Sequence, residues 1–168
     1  MTLLFEYTLL YASVLILVAL GGCFSEHSGV INLGLEGIMV IGALGGALTM
    51  STIAESFPNA SALMIVLSVI VISILFGVVY AALLAVACVN FNGDQTIVGT
   101  ALNILGTAAA TVIVKAINTA ANPDNVSSVV KYIQPKKAFL FHVGGMELNW
   151  FMVVTVIALI FAYVTLYK

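Results

Sequence analysis

Charged side chains divide this sequence into long uncharged runs, and their spacing constrains the fold more than any other feature. Five of these runs are each about 18 to 38 residues long, and a helix needs roughly 20 mostly apolar residues to cross a bilayer. The runs are continuous and do not alternate apolar with polar residues, which favours spanning helices over a β-barrel. The predicted membrane spans are residues 7–24, 30–52, 62–90, 95–117 and 149–167.

The composition agrees with a membrane protein. Hydrophobic residues make up 62% of the chain and charged residues 7%, whereas a soluble domain carries about a quarter charged residues. The predicted fold class is therefore all-α, a polytopic integral membrane helical bundle of about five transmembrane helices, of which one could be discontinuous. Glu6 stands where a signal peptide would have a basic region, so we expect the first span to stay in the membrane. The absence of arginine argues against a nucleic-acid partner.

Short connections between most spans predict one transmembrane domain over residues 1–168. The exception is residues 118–149, "NTAANPDNVSSVVKYIQPKKAFLFHVGGMELN", which we interpret as an extramembrane loop. Two pieces of it, residues 129–133 and 138–143, are rich in β-branched and aromatic residues. These pieces could form a short hairpin or lie on the membrane surface.

A polar, glycine-containing stretch, "SEHSGVINLGLEG" at residues 25–37, interrupts the apolar sequence. A second helix starting near Val30 would place Glu36 several residues inside it. A start at Asn32 would place Glu36 in the first turn, where the helix N-terminus favours its charge and Asn32 could cap the helix. Two roles remain open for Glu36, a structural hydrogen-bond anchor or a contact to a transported solute.

Small residues at helical spacing indicate close packing of helices. Gly42 and Gly46 form a GxxxG pair, a pattern that lets two helix backbones approach closely in lipid. The stretch "VGTALNILGTAAAT" at residues 98–111 repeats this character, and glycines near the polar stretch permit a broken helix entry. The predicted packing positions are Gly34, Gly37, Gly42, Gly46, Gly99 and Gly106.

No pattern in the sequence indicates catalysis, a cofactor or a metal. Ser25, Glu26 and His27 are adjacent, and adjacent residues rarely form a hydrolytic triad. Cys23 and Cys88 belong to no CxxC pair, which favours free thiols packed in helices. The chain has no G-x-x-x-x-G-K-[ST] loop, so any ATP hydrolysis would have to come from a partner chain.

Two longer segments carry a family resemblance. "ALGGCFSEHSGVINLGLEGIMVIGALGGAL" (residues 19–48) resembles the N-terminal signature of permease subunits of ABC importers for nucleosides and simple sugars, in the superfamily of ribose and branched-chain amino-acid permeases. "GDQTIVGTALNILGTAAAT" (residues 93–111) resembles a second signature of that family. His27 replaces the arginine usual in the family. The family continues beyond a fifth span, so the chain resembles the N-terminal half of a permease.

The resemblance implies a multi-pass plasma-membrane subunit of an importer for nucleosides or a simple sugar. Its implied partners are a second permease, a cytoplasmic ATP-binding subunit and an extracytoplasmic substrate-binding lipoprotein. Asn103 lies in mid-span and needs a hydrogen-bond partner, either another helix or a ligand. The candidate residues of the translocation path are Asn32, Glu36, Gln95, Thr100 and Asn103.

Orientation and function each have an alternative. The resemblance places the loop at residues 118–149 outside the cell, against the binding lipoprotein, whereas the positive-inside rule would place Lys131, Lys136 and Lys137 inside. We follow the resemblance. The alternative functions are a stand-alone small channel or secondary carrier oligomerising through its glycine-rich faces, and a purely structural membrane subunit.

Overall fold

A computed structural model describes residues 2–57, 60–130, 140–143 and 146–167. The described residues form five α-helices, a short π-helical turn and two strands. Four of the helices are long and apolar enough to cross a membrane, and the last is a shorter apolar helix. The elements are α1 (Thr2–His27), α2 (Leu35–Ser56), α3 (Ala62–Ala85), the π-turn (Val86–Asn90), α4 (Gln95–Ala121), β1 (Leu140–Val143), β2 (Met146–Asn149) and α5 (Trp150–Tyr167).

The predicted all-helical membrane bundle is confirmed, and the helices lie within a few residues of the predicted spans. The chain divides into two compact units, one of Met1–Ile31 with Lys137–Lys168 and one of Asn32–Lys136. The single domain over residues 1–168 stays a prediction.

In the first unit, α1 packs against α5. The buried residues of this unit include two with hydroxyl groups, Ser13 and Thr155, and one small one, Ala162. The Ser13 hydroxyl donates to the Leu9 carbonyl at 2.8 Å and the Thr155 hydroxyl to the Phe151 carbonyl at 3.0 Å. Each hydroxyl is therefore satisfied within its own helix, as is usual for Ser and Thr in apolar surroundings.

A hairpin precedes α5 in the same unit. β1 pairs antiparallel with β2, with Leu140 opposite Asn149 and Val143 opposite Met146. The predicted piece at residues 138–143 thus contains β1, which pairs with β2. Val129 and Val130 lie outside the strands, and residues 131–139, with all three lysines of the orientation argument, fall outside the described residues.

In the second unit, α3 lies antiparallel to α2. A Cβ added at Gly77 would lie 3.7 Å from the Ile38 side chain, and one added at Gly42 would lie 3.3 Å from the Ser73 carbonyl oxygen. The numbering thus rises along α2 as it falls along α3. The buried side chains of this unit are Ile41, Leu44, Tyr80, Leu84, Leu102 and Val114.

The connection from α3 to α4 is tight. The π-turn ends α3, Asn92 adopts a φ of 52°, and the Gly93 N–H donates to the Ala87 carbonyl at 2.9 Å. The Asp94 carboxylate then accepts from the N–H groups of Thr96 at 2.8 Å and Ile97 at 3.1 Å. This is an N-cap, which satisfies two of the free donors at the start of a helix. It fixes the point at which α4 begins.

Helix α2 begins at neither of the two predicted positions. Residues 28–34 are not helical, Gly34 is the N-cap residue, and α2 begins at Leu35 rather than at Val30 or Asn32. The Asn32 side chain accepts from the Gly34 N–H at 3.0 Å, which forms a turn before the helix. Glu36 accordingly lies in the first turn of α2, where the helix N-terminus favours its negative charge.

Candidate functional site

The Asn103 side chain joins α4 to the start of α2 through two hydrogen bonds. Its Oδ1 accepts from the Gly37 N–H at 2.7 Å, and its Nδ2 donates to the Leu33 carbonyl at 2.8 Å. Gly37 is in the first turn of α2, where backbone N–H groups have no partner within the helix. Two partners were considered for Asn103, another helix or a ligand. In the structure it bonds to the segment at the start of the neighbouring helix α2.

Glycines bring the two segments close enough for these bonds. A Cβ added at Gly37 would lie 2.6 Å from the Leu102 carbonyl oxygen, and one added at Gly106 would lie 2.9 Å from the Gly37 Cα. One added at Gly99 would lie 3.0 Å from the Gly34 nitrogen. The backbones of α2 and α4 therefore meet directly, as small residues permit in lipid. Because Gly34 faces Gly99 and Gly37 faces Gly106, the two helices run parallel.

Beside this contact lies an open groove of about 610 Å³. Glu36 is exposed, and its carboxylate makes no hydrogen bond or ion pair with another described residue. Among the described residues, the hydrogen bonds across this contact are made by Asn103 and not by Glu36, and both roles considered for Glu36 stay predictions. The groove is lined by Glu36, Asn103, Ile104, Thr107, Ala108, Thr111 and Val112.

Hydroxyl groups line the α4 side of the groove. Thr107 donates to the Asn103 carbonyl at 3.0 Å and Thr111 donates to the Thr107 carbonyl at 2.8 Å. Thr100, one turn before Asn103, donates in the same way to the Thr96 carbonyl at 2.8 Å. These positions are three or four apart, so they share one face of the helix. Their protons are used within α4, so the oxygens offer lone pairs to the groove.

The register of the helices sets the position of Glu36 along α4. Gly34 lies beside Gly99 and Gly37 beside Leu102 and Asn103, so Glu36 is level with about residue 101 of α4. At 1.5 Å per residue, this level is roughly 11 Å along the helix from Asp94. The polar connection that contains Asp94 belongs at the water interface, which places Glu36 inward of it. A carboxylate at such a depth is expected to face protein or a watery cavity rather than lipid.

The five predicted path residues divide into two groups. Glu36 and Asn103 line the groove together. Asn32 is half-buried in the turn before α2, Gln95 is half-buried as the first residue of α4, and Thr100 is exposed on the same face as Asn103. The groove lining does not include these three residues.

Sequence reasoning missed three features of this site. Thr107 and Thr111 follow Asn103 at intervals of four residues, a spacing that the printed sequence already contains. The buried Tyr80 hydroxyl donates to the Leu102 carbonyl at 2.7 Å and ties α3 to α4 at the level of the groove. Its partner is 22 residues away in the chain, so no local sequence pattern predicts that bond.

The first unit has a smaller pocket of about 420 Å³, which includes Cys23, Glu26 and His27 in its lining. Cys23 and Cys88 are both free thiols, as predicted. In the part of the chain that the structure describes, no three His, Cys, Asp or Glu side chains are placed to hold a metal ion.

The fold and groove define a multi-pass helical membrane protein with a largely apolar groove that holds Glu36, Asn103 and two threonines beside a broken helix entry. Residues 4–168 match the family described as the branched-chain amino acid transport system / permease component. The chain belongs to this permease family, as the two sequence signatures predict. With its membrane-spanning helices, it is a multi-pass protein of the plasma membrane.

Similar proteins include nucleoside permeases. The guanosine ABC transporter permease protein NupQ of Bacillus subtilis is 41% identical over 119 residues, which are 71% of this chain and 36% of NupQ. The nucleoside ABC transporter permease protein NupC of Lactococcus lactis is 38% identical over 100 residues, 60% of this chain and 30% of NupC.

A third relative, TsgC13 of Haloferax volcanii, has a name that refers to glucose. It is 34% identical over 108 residues, 64% of this chain and 30% of TsgC13. The chain thus spans about a third of the length of the curated relatives that it matches. No solved structure gives a significant match. These similarities favour an ABC importer permease over a stand-alone channel or carrier.

Proposed function

We propose that this chain is a permease subunit of an ATP-driven importer and that the groove beside Glu36 forms part of a path for nucleosides. The observation that carries the proposal is the exposed Glu36 carboxylate, which makes no bond to another described residue and lies in a groove lined by threonines. An ionisable side chain within spanning helices generally belongs to a solute or ion pathway.

The chemistry of the groove suits a solute that is rich in hydrogen-bond donors. When ionised, the Glu36 carboxylate can accept hydrogen bonds but cannot donate them. The hydroxyl protons of Thr107 and Thr111 are already donated within α4. Asn103 uses one donor and its acceptor on the start of α2. The groove therefore presents mainly acceptors, which match the hydroxyl and amino groups of a nucleoside. Simple sugars share the hydroxyl groups, and the relatives named for nucleosides favour the first class.

The proposal extends to the organisation of the importer. Residues 1–168 would belong to one transmembrane permease domain, with residues 118–149 outside the membrane and in contact with a substrate-binding lipoprotein. A second permease would complete the path, and a cytoplasmic ATP-binding subunit would hydrolyse ATP. The names of the relatives as ABC transporter permeases support this arrangement.

Uptake of a labelled nucleoside by cells that carry the complete importer tests the proposal. Glu36→Gln removes the charge at nearly constant volume and should reduce uptake about tenfold, a loss equivalent to one charge-assisted hydrogen bond. Glu55→Gln is the matched control, because Glu55 is an exposed carboxylate near the other end of α2, and it should leave uptake near the wild-type level.

Wild-type uptake in the Glu36→Gln importer would contradict a role for the carboxylate. Uptake of labelled glucose with no uptake of any nucleoside would replace the nucleoside assignment by a sugar. Uptake that persists when the ATP-binding subunit is removed would contradict the ATP-driven mechanism.

A further inference from the structure

We infer that Asn103 is a positioning residue, whose carboxamide holds the broken entry of α2 against α4 and so keeps Glu36 in the groove. This inference deepens the proposed function, and its consequences for transport rest on that function. The hydrogen bonds themselves can be tested without any transport assay.

The two bonds hold the chain on both sides of the point where α2 begins. Leu33 precedes the N-cap residue Gly34, and Gly37 lies in the first helical turn. Asn103 binds the carbonyl of the first and the N–H of the second, at 2.8 Å and 2.7 Å. Glu36 is the neighbour of Gly37, so the bond to Gly37 fixes the backbone from which the carboxylate projects.

Only a carboxamide of this length matches both partners. One bond needs an acceptor and the other a donor, and the Asn side chain has both on one short planar group. An ionised Asp could accept from Gly37 but would set a negative oxygen against the Leu33 carbonyl. A Leu of similar volume could do neither, and the Gly37 N–H and the Leu33 carbonyl would lose this partner.

The backbones of the two segments are in close contact beside Asn103. Added Cβ atoms at Gly37 and Gly106 would fall within 3 Å of backbone atoms of the facing segment. Asn103 donates and accepts hydrogen bonds across this contact to the segment where α2 begins. We therefore expect its loss to displace the first turn of α2 and Glu36 with it.

The test compares Asn103→Asp, Asn103→Leu and Thr52→Val in the full-length protein. Thr52 is an exposed α2 residue near the far end of the helix, whose hydroxyl donates only to the Leu48 carbonyl at 2.7 Å, so Thr52→Val controls for losing one polar group. Unfolding of purified protein by sodium dodecyl sulfate is followed between about pH 4 and 8, a range that begins near the ordinary pKa of an aspartate, about 3.9. Nucleoside uptake is measured over the same range.

The Asn103→Asp variant has a distinctive expected dependence on pH. Its carboxyl group can donate to Leu33 only when protonated, so the variant should gain resistance to the detergent as the pH falls, relative to wild type. Asn103→Leu should be less resistant at every pH, with no such gain. Glu36 is the titratable group that shares the groove, and the Tyr80 hydroxyl binds the adjacent Leu102 carbonyl. The double variant Glu36→Gln/Asn103→Asp separates titration of position 103 from that of Glu36.

Uptake should follow the same order. Asn103→Leu is expected to lose about tenfold in maximal rate, the equivalent of one or two interhelical hydrogen bonds. Asn103→Asp should recover part of that rate at low pH, whereas Thr52→Val should resemble wild type throughout.

The inference is overturned if Asn103→Leu resists the detergent and transports like Thr52→Val. It is also overturned if the pH curve of Asn103→Asp runs parallel to that of Asn103→Leu. If the wild-type importer moves no nucleoside, the proposed function fails, while the unfolding data still decide whether Asn103 holds the two segments.

Discussion

Helix α2 uses glycines on two faces, and the two faces differ in what they contact. Towards α3, a Cβ added at Gly45 or Gly46 would meet side chains, those of Phe76 and Ser73. Towards α4, a Cβ added at Gly37 would meet the backbone at Leu102 and Asn103. The first contact is made mainly with side chains, although a Cβ at Gly42 would lie 3.3 Å from the Ser73 carbonyl oxygen. The second is backbone against backbone, with hydrogen bonds across it.

Both faces of α2 carry glycines at helical spacing, but only one of them borders the candidate site. Side chains can rotate or be shortened, so the contact with α3 can adjust to change. The contact with α4 cannot, and it lies beside the exposed Glu36 carboxylate. Small-xxx-small spacing predicts close approach for both faces. The polar groups at the contact distinguish the face that borders the groove.

The largest expected effect is that of Gly37→Ala. Its Cβ would lie 2.6 Å from the Leu102 carbonyl oxygen, so α2 and α4 must separate, at a cost of about 2–3 kcal/mol in the free energy of unfolding. Detergent unfolding titrations measure this cost. Gly42→Ala is the matched substitution on the other face, where the nearest atom is also a backbone carbonyl oxygen, that of Ser73, but lies 3.3 Å away, and it should cost under about 1 kcal/mol. Equal costs for the two variants would contradict the distinction between the faces.

A double substitution sharpens the same comparison. Gly46→Ala would crowd the Ser73 hydroxyl and should cost about 1 kcal/mol. Ser73→Ala removes that hydroxyl, so the pair should show a favourable coupling in a double-mutant cycle that recovers most of the loss. Gly37→Ala offers no comparable rescue, because its obstruction is a backbone carbonyl. Additive costs for Gly46→Ala and Ser73→Ala would indicate that the α3 face is as rigid as the α4 face.

A similarly small effect is expected of Tyr80→Phe. The Tyr80 side chain is 8% exposed and its hydroxyl donates to the Leu102 carbonyl at 2.7 Å. Removing it should cost about 1 kcal/mol, the usual net value of one hydrogen bond, and should leave the α2–α4 contact in place. Detergent unfolding gives the cost. If Asn103→Asp gains as much detergent resistance at low pH in the Tyr80→Phe background as in the wild-type background, the two contacts are separate.

The helices could be predicted from the sequence because the cost of burying charge in lipid leaves few places for charged residues. The start of α2 could not be placed as well. Asn32 has a good capping side chain, yet it binds Gly34 two residues on, and α2 begins at Leu35. Asn103 supplies the bond to the first turn from 66 residues away, so the true boundary depends on tertiary contact.

The candidate site could be predicted in part for the same reason. Glu36 and Asn103 are polar residues in apolar spans, a contrast visible in the sequence alone. That they line one groove follows from the parallel register of α2 and α4, which the glycine contacts determine. Thr107 and Thr111 look like ordinary helix residues until that register places them beside Glu36.

The hairpin has a mechanical consequence for α5. β2 ends at Asn149 and α5 begins at Trp150, with the Asn149 side chain accepting from the Phe151 N–H at 3.0 Å. No spacer residue separates the strand from the helix, and hinges require residues whose backbone angles can change freely. Because the Asn149 side chain bonds across this junction, we expect the end of the hairpin and the start of α5 to move together.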